Sequence, residues 1–159
     1  MAINWPTGQA PIARLEVRLL SLPTRATVSA AHDTEPATDR ELTVVKLVDG
    51  SGNIGWGECS ALNRNSYWPE TARSSFELLR SWTSDTPVDD VVTPMATAAL
   101  EMAATDLKLR VDGISFGDYI GATSPQFTAG AVVGMGEPEA VLAQVDELVA
   151  AGFRRVKVK

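Results

Sequence analysis

The sequence predicts an α+β unit followed by the opening of an α/β unit. Three observations carry this. Strand-like runs occupy the first sixty residues, helical periodicity takes over from residue 69, and a strand–helix–strand pattern begins near residue 125.

In the first run, Ile12 to Leu20, the residues Leu15, Val17 and Leu19 fall on one face and Arg14, Glu16 and Arg18 on the other. That alternation marks a half-buried strand. Leu42 to Val48 is a second, β-branched run, and Asp49-Gly50-Ser51-Gly52-Asn53 is a turn signal after which Ile54 to Glu58 returns as a third strand. Together they predict an antiparallel meander. The polar, Ala/Thr-rich stretch from Pro23 to Arg40 is too long for a hairpin turn, and such loops are more often functional than idle.

Pro69 suits the first turn of a helix running to Trp82, with Ala72, Phe76, Leu79 and Trp82 inward. After a loop, Thr93 and Pro94 suit an N-cap and first helical residue. Met95, Ala98, Ala99, Met102, Ala103 and Leu107 then recur at helical spacing. Small residues dominate that face, so a close-packed neighbour is expected. Gly113 ends the helix, and Asp118 to Ile120 forms one more short helical turn.

Beyond residue 125, Phe127 to Val133 reads as a strand and Gly134-Met135-Gly136 as its exit loop. Glu137 to Ala151 reads as a helix burying Val141, Leu142, Val145, Leu148 and Val149; Gly152 closes it, and Phe153 to Lys159 is again a strand. This is the parallel crossover unit. The domain expectation is 1–124 and 125–159. A lone unit of this kind leaves strand edges open, and the chain stops inside a strand, so a larger sheet or barrel is expected to continue from it.

With 159 residues, 45% of them hydrophobic, the chain has material for a core, which excludes intrinsic disorder. Its 14 basic and 20 acidic residues give a net charge of −6, which argues against general nucleic-acid binding. The single Cys59 excludes an internal disulfide or a multi-cysteine metal site and suits a small buried hydrophobe. Trp5, Trp56, Trp68 and Trp82 read as core or interface residues, and Gly130 with Gly134-Met135-Gly136 lacks the dinucleotide-binding spacing. Met1 to Pro11 lacks a basic region followed by an apolar one, and no apolar run approaches the roughly 20 residues of a membrane helix, so a cytoplasmic protein without membrane partners is expected.

The candidate chemistry lies at Val156-Lys157-Val158-Lys159. Alternation puts Lys157 and Lys159 on one face of the strand and the valines on the other. In a (β/α) barrel the valines meet the outer helices, and the lysines point inward with Lys159 nearer the catalytic end. An ammonium in a partly desolvated interior gives up its proton readily and serves as a base. Spacing alone favours the plainer alternative of a solvated basic edge strand, since lysine guards edges well.

Three stretches in order alter that balance. They are Gly55-Trp56-Gly57-Glu58-Cys59 with Tyr67-Trp68-Pro69-Glu70-Thr71, then Ala98-Ala99-Leu100-Glu101-Met102-Ala103-Ala104-Thr105-Asp106-Leu107, then Ala151-Gly152-Phe153-Arg154-Arg155-Val156-Lys157-Val158-Lys159. In this order and spacing the chain resembles the N-terminal part of an enolase-superfamily enzyme of the muconate-lactonizing subgroup. The resemblance implies an α+β capping domain, a three-stranded antiparallel meander followed by helices, and the first β-α-β elements of an incomplete (β/α) barrel. It implies an enzyme that abstracts a proton α to a carboxylate through an enediolate, with Mg²⁺ as cofactor and a small carboxylate as substrate. Lys159 matches the acid/base lysine and Lys157 the lysine that tunes it.

The resemblance places the metal ligands on later barrel strands, with none in this chain, and makes Glu58, Asp106 and Asp118 capping, helix-surface or interdomain residues. It implies two substrate loops, Arg25 to Thr34 and Ala61 to Tyr67. Arg25 and His32 are candidates to meet an anionic substrate, Val28 and Tyr67 to line an apolar wall, and Ser29 and Asn63 complete the substrate-binding set. The Tyr67-to-Thr71 entry and the Ala129-to-Gly134 strand favour o-succinylbenzoate synthase or N-succinylamino acid racemase, with muconate cycloisomerase and dipeptide epimerase as alternatives. The remainder of the barrel is the expected partner, with a homo-oligomer as a further one. The 159 residues alone are expected to be inactive. A rival of another class is a free-standing, non-catalytic α+β module that docks a partner along the strand Phe153 to Lys159.

Overall fold

The computed structural model describes residues 10–24, 38–66, 68–82 and 93–159. Residues 39–122, together with 10–22, fall in one compact unit, and residues 123–159 fall in a second.

In the first unit, β1 (Ile12–Pro23), β2 (Asp39–Asp49) and β3 (Ile54–Cys59) lie side by side in that order, and β2 pairs antiparallel with β3 from Val48↔Ile54 to Thr43↔Cys59. Three helices follow, α1 (Ala72–Arg80), α2 (Pro94–Asp112) and α3 (Phe116–Tyr119). Alternation assigns the faces. Thr43, Val45 and Leu47 of β2 and Gly55, Gly57 and Cys59 of β3 are buried, whereas Lys46, Trp56 and Glu58 face away from the core. On that outer face Lys46 lies 3.4 Å from Glu16 and 5.7 Å from the centre of the Trp56 ring. Cys59 is the buried, free thiol expected of it.

The β2–β3 turn is held by one side chain. Asp49 Oδ1 accepts from the backbone N–H of Ser51 at 2.9 Å and of Asn53 at 2.8 Å, and Oδ2 accepts from Asn53 Nδ2 at 2.8 Å. Gly52 supplies the left-handed residue at φ 86°. The Asn53 side-chain amide, more than any other group, lowers the carboxyl below its ordinary 3.8, with the backbone N–H groups of Asn53, Ser51 and Gly52 adding to this against partial desolvation. A carboxyl lowered in the folded state stabilises the fold above its unfolded value, and that stabilisation is lost as pH falls through the folded value. In urea melts the stability gap between the wild type and Asp49→Asn should therefore be full at neutral pH and narrow below 3.8.

Helix α1 begins with a reciprocal cap, in which Ser74 N–H donates to Thr71 Oγ1 at 3.1 Å and Thr71 N–H donates to Ser74 Oγ at 2.9 Å. The helix is therefore shorter than the sequence predicts, starting at Ala72 instead of Pro69. Its buried residues are Ala72, Ser75 and Leu79, with Phe76 only half-buried beneath Arg80.

Helix α2 corrects the predicted face. Its buried residues include Ala96, Ala99, Leu100, Ala103 and Leu107, while Met95 and Met102 are exposed. The helix is apolar around much of its girth, so periodicity alone does not choose a side; the close-packed neighbour chooses it. That neighbour is β3. A Cβ on Gly57 would lie 2.0 Å from the Ala99 carbonyl oxygen, and one on Gly55 would lie 2.1 Å from that of Ala103. The two glycines let a strand and a helix touch backbone to backbone. Asp106 completes the seam, with Oδ2 accepting from Trp56 N–H at 2.9 Å and from Arg110 Nε at 2.8 Å. Gly113 ends α2 at φ 67°, as expected.

In the second unit, β4 (Ala131–Val133) pairs parallel with β5 (Val156–Val158), and α4 (Pro138–Ala150) connects them. Strand β4 is shorter than predicted, because the ladder begins where Ala131 N–H donates to Arg155 O, and Phe127 is 93% exposed. Helix α4 buries less than predicted. Val141, Val145 and Leu148 are half-buried, but Leu142 and Val149 are exposed, since two short strands cannot cover the whole apolar stripe. Gly152 follows the helix at φ 93°, the conformation its position predicts.

Candidate functional site

The register of the second unit separates the two kinds of side chain on β5. Ala131 pairs with Val156 and Val133 with Val158, whereas Val132 pairs with Lys157. Directly paired residues share a face. Val133 is 1% exposed and Val156 half-buried, which marks their face as the one toward α4. Lys157 and Val132 lie on the opposite, open face, and alternation carries Lys159 to the same side. Lys159 is held by its own backbone, its N–H donating to Val133 O at 3.1 Å. Both lysine side chains are exposed.

Of the candidate substrate-binding residues, Arg25, Val28, Ser29, His32 and Tyr67 lie outside the described residues. At the stem of the first loop, Thr24 N–H donates to Thr38 O at 3.2 Å. Asn63 is described, and its amide is engaged with backbone. Oδ1 accepts from Glu41 N–H at 2.8 Å, and Nδ2 donates to Asp39 O at 3.1 Å. Nearby, Arg40 donates to Ser60 O, and Ala72 N–H donates to Leu62 O at 3.3 Å.

Two features escaped the sequence. The first is Glu70, which is 4% exposed and stands at the N-terminus of α2. Its oxygens accept from Met95 N–H at 2.9 Å, Ala96 N–H at 2.7 Å and Ser75 Oγ at 3.0 Å. Thr93 holds the N-cap position without a side-chain cap bond, so a carboxylate from before α1 takes that task and meets the positive end of the helix dipole. Glu70→Ala should cost about 2–3 kcal/mol by leaving those N–H groups buried without a partner, measured by thermal melting, with Glu70→Gln losing less.

The second is a groove of about 730 Å³ among β3, α2 and α3, lined by Trp56, Met102, Arg110, Phe116, Tyr119 and Ile120 among others. Trp56 is thus a groove wall, 47% exposed, and Trp68 is also exposed, while Trp82 is buried as expected. Glu58 and Asp118 spend their carboxylates on Ser60 and Ser115.

No family model matches the chain. It is 29% identical over 140 residues to o-succinylbenzoate synthase of Bacillus subtilis (strain 168), a match covering 79% of this chain and 38% of that protein. The muconate lactonizing enzyme from Pseudomonas fluorescens, solved with muconolactone, superposes with a TM-score of 0.80 at 15% identity, covering 95% of this chain and 45% of that one. The dipeptide epimerase from Methylococcus capsulatus, solved with Mg and the dipeptide L-Arg-D-Lys, superposes with a TM-score of 0.75 at 22% identity, covering 93% and 45%. The fold is that of the N-terminal capping region of the enolase superfamily. The chain spans less than half the length of the relatives it matches.

Among its described residues no three of His, Cys, Asp and Glu gather as a metal-binding group. The described residues therefore supply no ligand set for an ion such as the Mg²⁺ found with the epimerase. Among the same residues no helix is long and apolar enough to cross a membrane.

Proposed function

We propose that this chain is the N-terminal portion of an enolase-superfamily enzyme that abstracts a proton α to a carboxylate. Lys159 moves that proton, and Lys157 beside it tunes Lys159 and helps hold the negative charge of the enediolate. The observation that carries the proposal is the placement of both lysines on the face of β5 opposite α4. A barrel interior occupies that side of such a strand, and catalytic groups sit at the C-terminal ends of barrel strands. The match to o-succinylbenzoate synthase supports a dehydratase acting on a succinyl-bearing carboxylate, or a racemase of succinylated amino acids. Arg25 and His32 meet the anionic end of that substrate, Ser29 lies with them, and Val28 and Tyr67 form its apolar wall. The ligands of the Mg²⁺ that the complete cytoplasmic enzyme uses, and the walls that close the barrel, lie outside the described residues. The described residues alone do not sustain turnover.

The test is deuterium exchange at the substrate α-carbon in D₂O. The enzyme is made from the complete reading frame, with Mg²⁺ present and succinylated carboxylates supplied. Solvent-derived deuterium at the α-carbon, or Mg²⁺-dependent dehydration, is the expected result. An intact, folded enzyme that leaves the α-proton of every such substrate in place would sink the proposal.

A further inference from the structure

The β2–β3 ladder ends at Thr43↔Cys59, so Asp39 to Leu42 run on beyond the last β3 partner. The amide of Asn63 sits against this extension. It accepts from Glu41 N–H at 2.8 Å and donates to Asp39 O at 3.1 Å, bracketing Arg40 between its two bonds. Those are the two bonds that a residue of a neighbouring parallel strand makes. Asparagine alone among the short side chains carries a planar donor and acceptor that reproduce a peptide group; aspartate lacks the donor and alanine lacks both. Arg40 answers with its own bond to Ser60 O, and α1 holds Leu62 O through Ala72 N–H. Residues 60–63 are therefore tied to the strand and to the helix at once.

We infer that Asn63 is a positioning residue: its side chain stands in for a strand, fixes the stem of the loop that leads to Tyr67, and so presents that loop to the substrate already ordered. The inference rests on the proposed function, in which this loop faces the substrate. It assigns Asn63 a task apart from substrate contact, because both polar ends of the amide are engaged with β2. A loop ordered beforehand spares binding the cost of ordering it. Losing the clamp should then weaken substrate binding while leaving the chemical step intact.

Two readouts on Asn63→Ala and Asn63→Asp, beside the wild type, test this in the complete enzyme. The first is hydrogen exchange at the Glu41 amide, which should speed up about tenfold or more in Asn63→Ala, the worth of roughly one hydrogen bond, while the Val45 and Leu47 amides stay protected. The second is steady-state kinetics, in which KM should rise about tenfold with kcat within roughly twofold. Asn63→Asp keeps the acceptor for Glu41 N–H but turns a second acceptor toward Asp39 O, so KM should rise while Glu41 exchange changes less than in Asn63→Ala. Unchanged Glu41 exchange in Asn63→Ala overturns the clamp whatever the kinetics. Faster exchange with unchanged KM, or a fall in kcat alone, overturns the positioning role. A wild type with no α-proton exchange defeats the proposed function, and the positioning role with it, and the Glu41 amide still separates that failure from failure of the clamp.

Discussion

Gly57→Ala should cost about 3 kcal/mol or more, a large part of the stability of an ordinary domain. The added Cβ would meet the Ala99 carbonyl oxygen at 2.0 Å and the Ala103 amide nitrogen at 2.9 Å, where real contacts essentially never fall below 3.0 Å. Those two atoms are partners in the helix's own i→i+4 hydrogen bond. No side chain can swing away, so α2 has to withdraw from β3 by about 1 Å. That withdrawal loosens Leu100, Ala103 and Leu107 against Val45 and Leu47, the centre of the core. Urea denaturation checks this, with Gly50→Ala as the control. At Gly50 the nearest atoms to an added Cβ lie at 3.6 Å and φ is not positive, so a change within about 0.5 kcal/mol is expected. A Gly57→Ala midpoint equal to that of Gly50→Ala would show that the helix–strand contact is looser than described.

Lys159→Ala in the complete enzyme should slow α-proton exchange about 10²- to 10⁴-fold, the range a positioned acid or base contributes, with KM changed much less. Lys159→Arg sharpens the result. It keeps the positive charge but cannot release a proton at working pH. If Lys159 moves the proton, both variants lose exchange alike. If it only holds the substrate carboxylate, Lys159→Arg retains most of the rate. Lys157→Ala should fall between the wild type and Lys159→Ala, because the task proposed for Lys157 is charge and not proton transfer. Full exchange in Lys159→Ala would remove the lysine from the mechanism and leave β5 as a basic strand and nothing more.

The elements of the fold were legible because they are local. Alternation in β1 and β2, the Asp49–Asn53 turn, Pro94 at the start of α2 and Gly113 and Gly152 at helix ends each act within a few residues. The placement of Lys157 and Lys159 on one face is local too, since it needs only the pleat of a strand. The limits of β4 and the face of α2 were not legible. The first depends on how far Val156 to Val158 reach as partners, and the second on which side of an apolar helix a neighbour approaches.

The sequence by itself thus determined the order and kind of the elements and the shared face of Lys157 and Lys159, because periodicity and backbone preference are properties of short stretches. The tertiary structure alone decided that Glu70 caps a helix starting 24 residues later, that Asn63 extends a strand lying 22 residues before it, and that Gly55 and Gly57 admit the backbone of α2. A carboxylate, an amide and a missing Cβ look the same in sequence whether solvated or engaged. Only the packing of distant segments brings an unpartnered N–H or a helix backbone close enough to give them a task.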